Sequence, residues 1–334
     1  MNEDALVAAI AQRLRTGRAA RVLLGIGDDA AVWQPSRSAR SVVTTDALVE
    51  GIHFTQGALS PEEIGHRALA ANLSDLAAMG ARPVLATVAL GFPADTPPEL
   101  LLRCYDGIAA LAERARCAIA GGDLTRAPAL TFAVTAIGEV RPSNLKLRSG
   151  ARPGDVVAVT GPLGASRAGL ELALDAERAA QRDGAVREEA GDGDAREALR
   201  AFRLPEPRLR EGFRLGGSRS VHALMDLSDG LSTDLGRMCE ASGCGAEIDG
   251  VPVSAAARAI AERRGADAEA WALHGGEDYE LLAAIDRRAF PYLARRFAAQ
   301  HRRPLLQVGR ITVDRGVRLR GERLAALGWD HLRC

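Results

Sequence analysis

Runs of β-branched and apolar residues that alternate with helix-patterned stretches, and repeatedly close on aspartate, constrain this chain most. Ser41–Asp46 (SVVTTD), Val84–Phe92, Cys117–Asp123 and Leu130–Val140 have the composition of strands bounded by Gly, Asp or Pro. Between them, SPEEIGHRALAANLSDLAAMG predicts a helix in which Ser60 caps, Pro61 takes the first helical position, Glu63 completes a capping box and Gly80 stops the run. A second helix is expected from Pro98 to about Arg116. Beyond the turn-rich SGARPGD at 149–155 the alternation resumes. VVAV gives way to a glycine turn and a helix, and a strand runs into Asp226 with a helix from Gly230. Strand GAEIDG, helix Ser254–Arg264, strand DYELLAAID, helix Arg287–Gln300 and strand LLQVGRI follow. The expected architecture is α/β in two lobes, 1–148 and 149–334. The stretch Ala176–Arg200 is charged and poor in large apolar residues, and is expected to be a mobile, solvent-exposed insertion of the second lobe.

Composition then narrows the chemistry. With 334 residues, 47% hydrophobic and 26% charged, the chain is long enough for two domains with a large core. Its formal net charge is zero, so no global basic field recruits nucleic acid or acidic membranes. No apolar run reaches transmembrane length, and the acidic, then amphipathic N-terminus is unlike a secretory signal. A cytoplasmic setting is expected. Five cysteines without a CxxC pair fit reduced thiols better than disulfides or structural zinc. Lys146 is the only lysine among 43 basic residues, and its surroundings, NLKLRSG, do not form a Walker A loop. No kinase-type VAIK strand exists either. Any use of ATP lies outside both frameworks.

The polar residues that break the apolar pattern are mostly aspartates at element ends. Asp28 and Asp29 lie in GIGDD, Asp46 ends VVTTD, Asp123 ends GGD, and MDLSDGLSTDLG carries Asp226, Asp229 and Asp234. Strand ends are where α/β proteins place ligands. Asp75 differs, since it falls inside the Ser60–Gly80 helix on a largely apolar face with Ala68, Asn72 and Met79. A buried, unpaired carboxylate costs several kcal/mol, and no Lys or Arg stands at i±3 or i±4, so a cation is expected to meet it. An oxygen-only donor set suits magnesium or calcium, and magnesium commonly shares its shell with substrate phosphates. Each motif alone has a plainer reading. GDD and GGD are common turns, Ser228 or Asp229 would cap the helix from Gly230, and Asp234 would sit on that helix's solvated face. Turns and caps alone do not account for the whole set.

With GIGDDAAV, TTDALVEGIHF, NLSDLAAMGARP, GGDLTR, RSGARPGD, DLSDGLSTDLG, LHGGEDYEL and GWDH in this order, the chain resembles the thiamine-monophosphate kinase family. That family is part of the superfamily of aminoimidazole-ribonucleotide synthetase and selenophosphate synthetase. The resemblance implies an N-terminal lobe whose mixed sheet pairs across a homodimer into a barrel, and a C-terminal α/β sandwich lobe. It implies direct transfer of the ATP γ-phosphoryl group to thiamine phosphate with several Mg²⁺ ions and no phosphoenzyme. Asp29, Thr44, Thr45, Asp46, Asp75, Asp123, Asp226 and Asp229 match metal positions, with the threonine whose side chain touches metal left open. Tyr105, Gly122, Asp123, Arg148 and Ser228 match ATP contacts. His53, Glu277 and Trp329 match positions that hold thiamine phosphate. No residue matches a catalytic acid or base, and an anionic phosphate nucleophile requires none. Two other readings remain: a different ATP-dependent synthetase or dehydratase of the superfamily, or a nucleotide- or cation-binding protein without catalysis. The dehydratase would use Cys334, but the ending HLRC departs from its Pro-Arg-x-Cys, so Cys334 reads as incidental.

Overall fold

Helix α1 (Glu3–Arg13) leads into strands β1 (Val22–Leu24), β2 (Val32–Trp33) and β3 (Arg40–Val49), then α2 (Pro61–Ala78), β4 (Arg82–Phe92), α3 (Pro98–Ala115), β5 (Ala118–Arg126) and β6 (Thr131–Val140). The computed structural model describes residues 2–14, 21–27, 30–183, 192–329 and 332. The chain divides into one unit of Met1–Leu76 with Ala81–Pro142, and a second of Ala77–Gly80 with Ser143–Cys334.

In the first unit four strands form a mixed sheet in the order β3-β6-β4-β5, with β4 and β5 parallel. One face carries Phe132, Val134, Ala136, Val88 and Leu90, all fully buried. The other carries Val43, Thr45, Ala47, Ala133, Thr135, Thr87 and Ala89, which are exposed or half-buried. The capping box at the start of α2 forms as expected: Glu63 N–H donates to Ser60 Oγ at 3.3 Å, and Ser60 N–H to Glu63 Oε2 at 2.8 Å. Helices α2 and α3 meet backbone to backbone. A Cβ on Gly65 would lie 1.8 Å from the Cys104 carbonyl, and one on Gly107 would lie 1.9 Å from that of Glu62.

The second unit contains β7 (Val156–Val159), α4 (Ala165–Asp183), α5 (Gly193–Arg203), α6 (Leu209–Gly216), β8 (Val221–Asp226), α7 (Leu231–Ser242), β9 (Gly245–Ile248) and α8 (Ala255–Arg264). It continues through α9 (Ala268–His274), β10 (Leu281–Ile285), α10 (Phe290–His301), β11 (Leu306–Thr312), β12 (Gly316–Leu319) and β13 (Glu322–Arg323). Seven strands lie in the order β13-β12-β9-β11-β7-β10-β8, antiparallel except for β12 on β9. Strand–helix alternation does not dictate a parallel sheet: apart from the β12–β13 pair, strands that follow each other in sequence are not neighbours here, and the strands that do meet run mostly antiparallel. Val157, Val159, Ala223 and Met225 pack with Leu231, Leu235 and Met238 of α7 on one face. Ala158, Leu224, Ala283 and Ile285 pack with Leu293 and Phe297 of α10 on the other. Helices therefore cover both sides. The lone lysine is structural, since buried Lys146 Nζ donates to the carbonyls of Ser218 and Val221 at 2.8 Å each.

The stretch 176–200 corrects the sequence reading. It is helical at both ends, in α4 and α5, and 184–191 lie outside the described residues. Asp192 caps α5, accepting the Ala195 N–H at 3.0 Å, and Ala195, Ala198, Leu199 and Phe202 form its buried stripe. Small residues at helical spacing sufficed for packing where a count of large apolar residues suggested none. The expected ends of two strands also move, as β3 continues past Asp46 to Val49 and β5 past Asp123 to Arg126.

Because α2 and α3 touch through glycine, Gly107→Ala should destabilise the first unit by about 1–3 kcal/mol or more. Chemical denaturation measures it, and unchanged stability would mean that the helices can separate at no cost.

Candidate active site

In the first unit the candidate side chains divide between the two faces of the sheet. Strand β3 alternates, so Thr44 and Asp46 share the helix-covered face while Thr45 points the other way. The Thr44 hydroxyl donates to Asp75 Oδ2, across from α2. Asp75 is half-buried, and this hydroxyl gives it a neutral donor where the sequence suggested that only a cation would serve. The Thr45 hydroxyl is committed to the sheet, donating to the Val134 carbonyl at 3.1 Å and accepting from Thr135 at 3.1 Å.

Asp123 lies on the opposite face, and a bulge puts it there. The β4–β5 register skips one residue between Ala86↔Ile119 and Thr87↔Gly121, which reverses the alternation and aims Asp123 to the open side. Rows of small residues lead across the sheet to it: Ala47, Ala133, Ala89 and then Asp123. A cavity of 870 Å³ opens here, lined by Thr87, Ala89, Gly122, Asp123, Ala133 and Thr135 among others. Gly122 keeps β5 close to β4, since a Cβ there would stand 2.0 Å from the Val88 carbonyl. Tyr105 is a buried residue of α3, and burial raises its phenol pKa. His53 folds back onto the end of β3. Its Nδ1 accepts the Val49 N–H at 3.0 Å, while the His53 backbone N–H donates to the Val49 carbonyl at 2.8 Å. A neutral ring held this way carries its proton on Nε2. Asp28 and Asp29 lie outside the described residues.

In the second unit three motifs from distant parts of the sequence converge on one turn. Asp226, almost fully buried, ends β8, and residues 227–230 lead into α7. The Ser228 carbonyl accepts the Glu277 N–H at 2.7 Å, and the Asp229 carbonyl accepts the Trp329 N–H at 3.3 Å. Leu227 exchanges bonds with Tyr279 and Glu280 at 3.0 and 2.8 Å. Gly328 packs so tightly that a Cβ would fall 2.0 Å from the Asp229 carbonyl, and its N–H reaches Thr233 Oγ1 at 3.1 Å. Trp329 stays half exposed. Exposed Arg148 follows Leu147, whose carbonyl accepts the Leu224 N–H of β8 at 3.0 Å, and the Arg148 carbonyl accepts from Ser242 Oγ at 3.4 Å.

The helix cap differs from the sequence reading. Gly230 is the N-cap of α7 and neither Ser228 nor Asp229 caps it; Asp234, expected on the solvated face, is completely buried. Its carboxylate reaches back to accept the N–H groups of Asp229 and Gly230 at 3.0 and 3.1 Å. Arg237 Nη1 bridges it, at 3.0 Å, to the Asp229 carboxylate. Sequence reasoning missed Arg237, although its i,i+3 spacing from Asp234 was the available signal. Burial, and then the charge of Asp229, push the Asp234 carboxyl up to about 6.

Among the described residues no three His, Cys, Asp or Glu side chains are grouped closely enough to hold a metal ion. The donor types still suit magnesium: hydroxyl and carboxylate oxygens, with Asp75 already oriented by Thr44.

These two halves define an AIR synthase related protein. The N-terminal domain of that class matches residues 27–140, and its C-terminal domain residues 152–321. A thiamine-monophosphate kinase of Bacillus subtilis is 35% identical over 310 residues, 92% of this chain and 91% of its own. The crystal structure of thiamine-monophosphate kinase from Stenotrophomonas maltophilia superposes with a TM-score of 0.82 at 36% identity, covering 97% of this chain and 98% of that one. AaThiL complexed with AMPPCP and TMP matches with a TM-score of 0.78 at 30% identity, over 98% and 96% of the two chains. The chain belongs to the thiamine-monophosphate kinase family.

The Asp234 carboxyl, raised above its ordinary 3.8, holds its proton more tightly in the folded state. Its contribution to stability is therefore present below about pH 4 and lost as pH rises to about 6. In Asp234→Asn that pH dependence should be missing, so the stability difference between wild type and variant should drift across this window and level above it. Denaturation curves at several pH values test this, and parallel curves would show that Asp234 does not titrate there.

Proposed function

We propose that this protein transfers the γ-phosphoryl group of ATP to thiamine phosphate, giving thiamine diphosphate and ADP. One observation carries the reading within the second unit. Glu277 and Trp329, matched to the substrate, hang by their own N–H groups from Ser228 and Asp229, matched to nucleotide and metal. A single turn thus supports groups for both substrates. The AaThiL complex with AMPPCP and TMP, in a relative of the same fold, agrees with it.

Thr44, Asp46, Asp75 and Asp123 in the first unit, and Asp226 and Asp229 in the second, would hold Mg²⁺, as would Asp29. Thr45 serves through its sheet position, because its hydroxyl is already engaged. Asp46 and Asp123 stand on opposite edge strands and opposite faces, three strand spacings or about 14 Å apart, so within one chain they serve different ions. Mg²⁺, when bound, neutralises the phosphate oxygens and the charge that develops during transfer. Gly122, Asp123, Arg148 and Ser228 would contact ATP, and buried Tyr105 would shape the helix beneath it. His53 would donate from Nε2 to the phosphate of thiamine phosphate, and Trp329 would stack on its ring. The chain would act as a cytoplasmic homodimer. Val43, 62% exposed, and the small residues beside it on the open sheet face support closure against a second copy into a barrel.

Incubating the protein with Mg-ATP and thiamine phosphate should produce thiamine diphosphate; folded protein that yields none defeats the proposal. Asp75→Asn should lower activity and Mg²⁺ affinity by about 10–100-fold or more with the helix content unchanged. Full activity would return Asp75 to a packing role. Trp329→Ala should raise KM for thiamine phosphate by roughly threefold to tenfold, the worth of one aromatic stack, and leave KM for ATP alone.

A further inference from the structure

Asp278 lies between two residues in the left-handed backbone region, Glu277 (φ 55°) and Tyr279 (φ 48°), with Gly276 (φ 69°) just before them. Non-glycine residues are strained there, so such a turn persists only where its surroundings fix it. Main-chain bonds to Ser228 and Leu227 hold one side. Asp278 holds the other: both of its carboxylate oxygens accept the Gly164 N–H, at 3.0 Å each, and it also accepts the Ser166 N–H. It thereby caps α4 from 112–114 residues away in sequence. Burial pushes this carboxyl up to about 7, and the charges of Glu280 and Glu277 act in the same direction. A local Ser or Asp at the start of α4 would cap that helix without such opposition. Instead the cap is supplied by the residue next to Glu277.

We propose that Asp278 is a positioning residue, which ties the strained 276–279 turn to the first turn of α4 and so fixes where Glu277 presents its carboxylate to thiamine phosphate. The proposal rests on Glu277 being a substrate residue. Glu280 anchors the following strand independently, through Arg208 at 2.8 and 3.1 Å, Arg303 at 2.6 Å and Thr160 at 2.6 Å. Removing Asp278 therefore frees the turn and leaves β10 in its sheet.

The test is a double-mutant cycle of Asp278→Ala and Glu277→Gln, with steady-state kinetics for both substrates and thermal unfolding of each variant. Asp278→Ala should raise KM for thiamine phosphate about tenfold, with KM for ATP within about twofold, and Asp278→Asn should recover most of the loss. In the Glu277→Gln background the same change should add less than about twofold. Equal losses in both backgrounds, or a lowered Tm with KM for thiamine phosphate unchanged, would overturn the proposal and leave Asp278 a helix cap. If Glu277→Gln itself leaves that KM unchanged, the substrate reading of Glu277 fails and the proposal with it. If only Asp278→Ala is silent, the proposal alone fails. Should the alanine variant not fold, Asp278→Asn carries the cycle, with an expected effect of about threefold that vanishes beside Glu277→Gln.

Discussion

The main-chain carbonyls of the 227–229 turn are what the functional half of the second unit depends on. They accept N–H groups from two distant parts of the chain: Leu227 from Tyr279 and Ser228 from Glu277 in one turn, and Asp229 from Trp329. Backbone bonds of this kind fix the position of a neighbouring residue through its main chain, and they locate Glu277 and Trp329 beside the turn. Asp234 in turn fixes the turn itself by accepting the N–H groups of Asp229 and Gly230. A buried carboxylate in that role is stabilised by two backbone donors and by Arg237, which also engages Asp229.

The acidic residues that look so crowded in the sequence are compensated one at a time, by different means. Asp75 receives a threonine hydroxyl, Asp229 a guanidinium, Asp234 and Asp278 backbone N–H groups, and Glu280 two arginines and a threonine. Asp234 and Asp278 are structural by their contacts, although they sit within motifs that also carry the proposed ligand-binding acids.

Much of this was legible in the sequence where the signal is local. The capping box at Ser60–Glu63 and the strand–helix order follow from short-range pattern, and both form. Family membership was legible in the ordered motifs, and the relatives agree with it. What was not legible depended on non-local geometry. The 176–200 segment looked like a loop because the buried stripe of α5 falls within it only as Ala195, Ala198 and Leu199, with Phe202 beyond its end. Asp234 looked solvated because its burial comes from neighbouring elements, and its capping bonds run backward to a turn whose conformation Gly230 sets.

The sequence by itself determined most of the elements, the inventory of acidic motifs and the family, since these rest on residue type and spacing along the chain. Only the tertiary structure decided which atoms meet. A one-residue bulge in β5 chose the face on which Asp123 appears, and strand alternation separated Thr44 from Thr45. Distances in space brought residues 228, 277 and 329 to one turn and tied Asp278 to the start of α4. Spacing along a chain cannot encode such contacts, because they form only when the sheet and helices have packed.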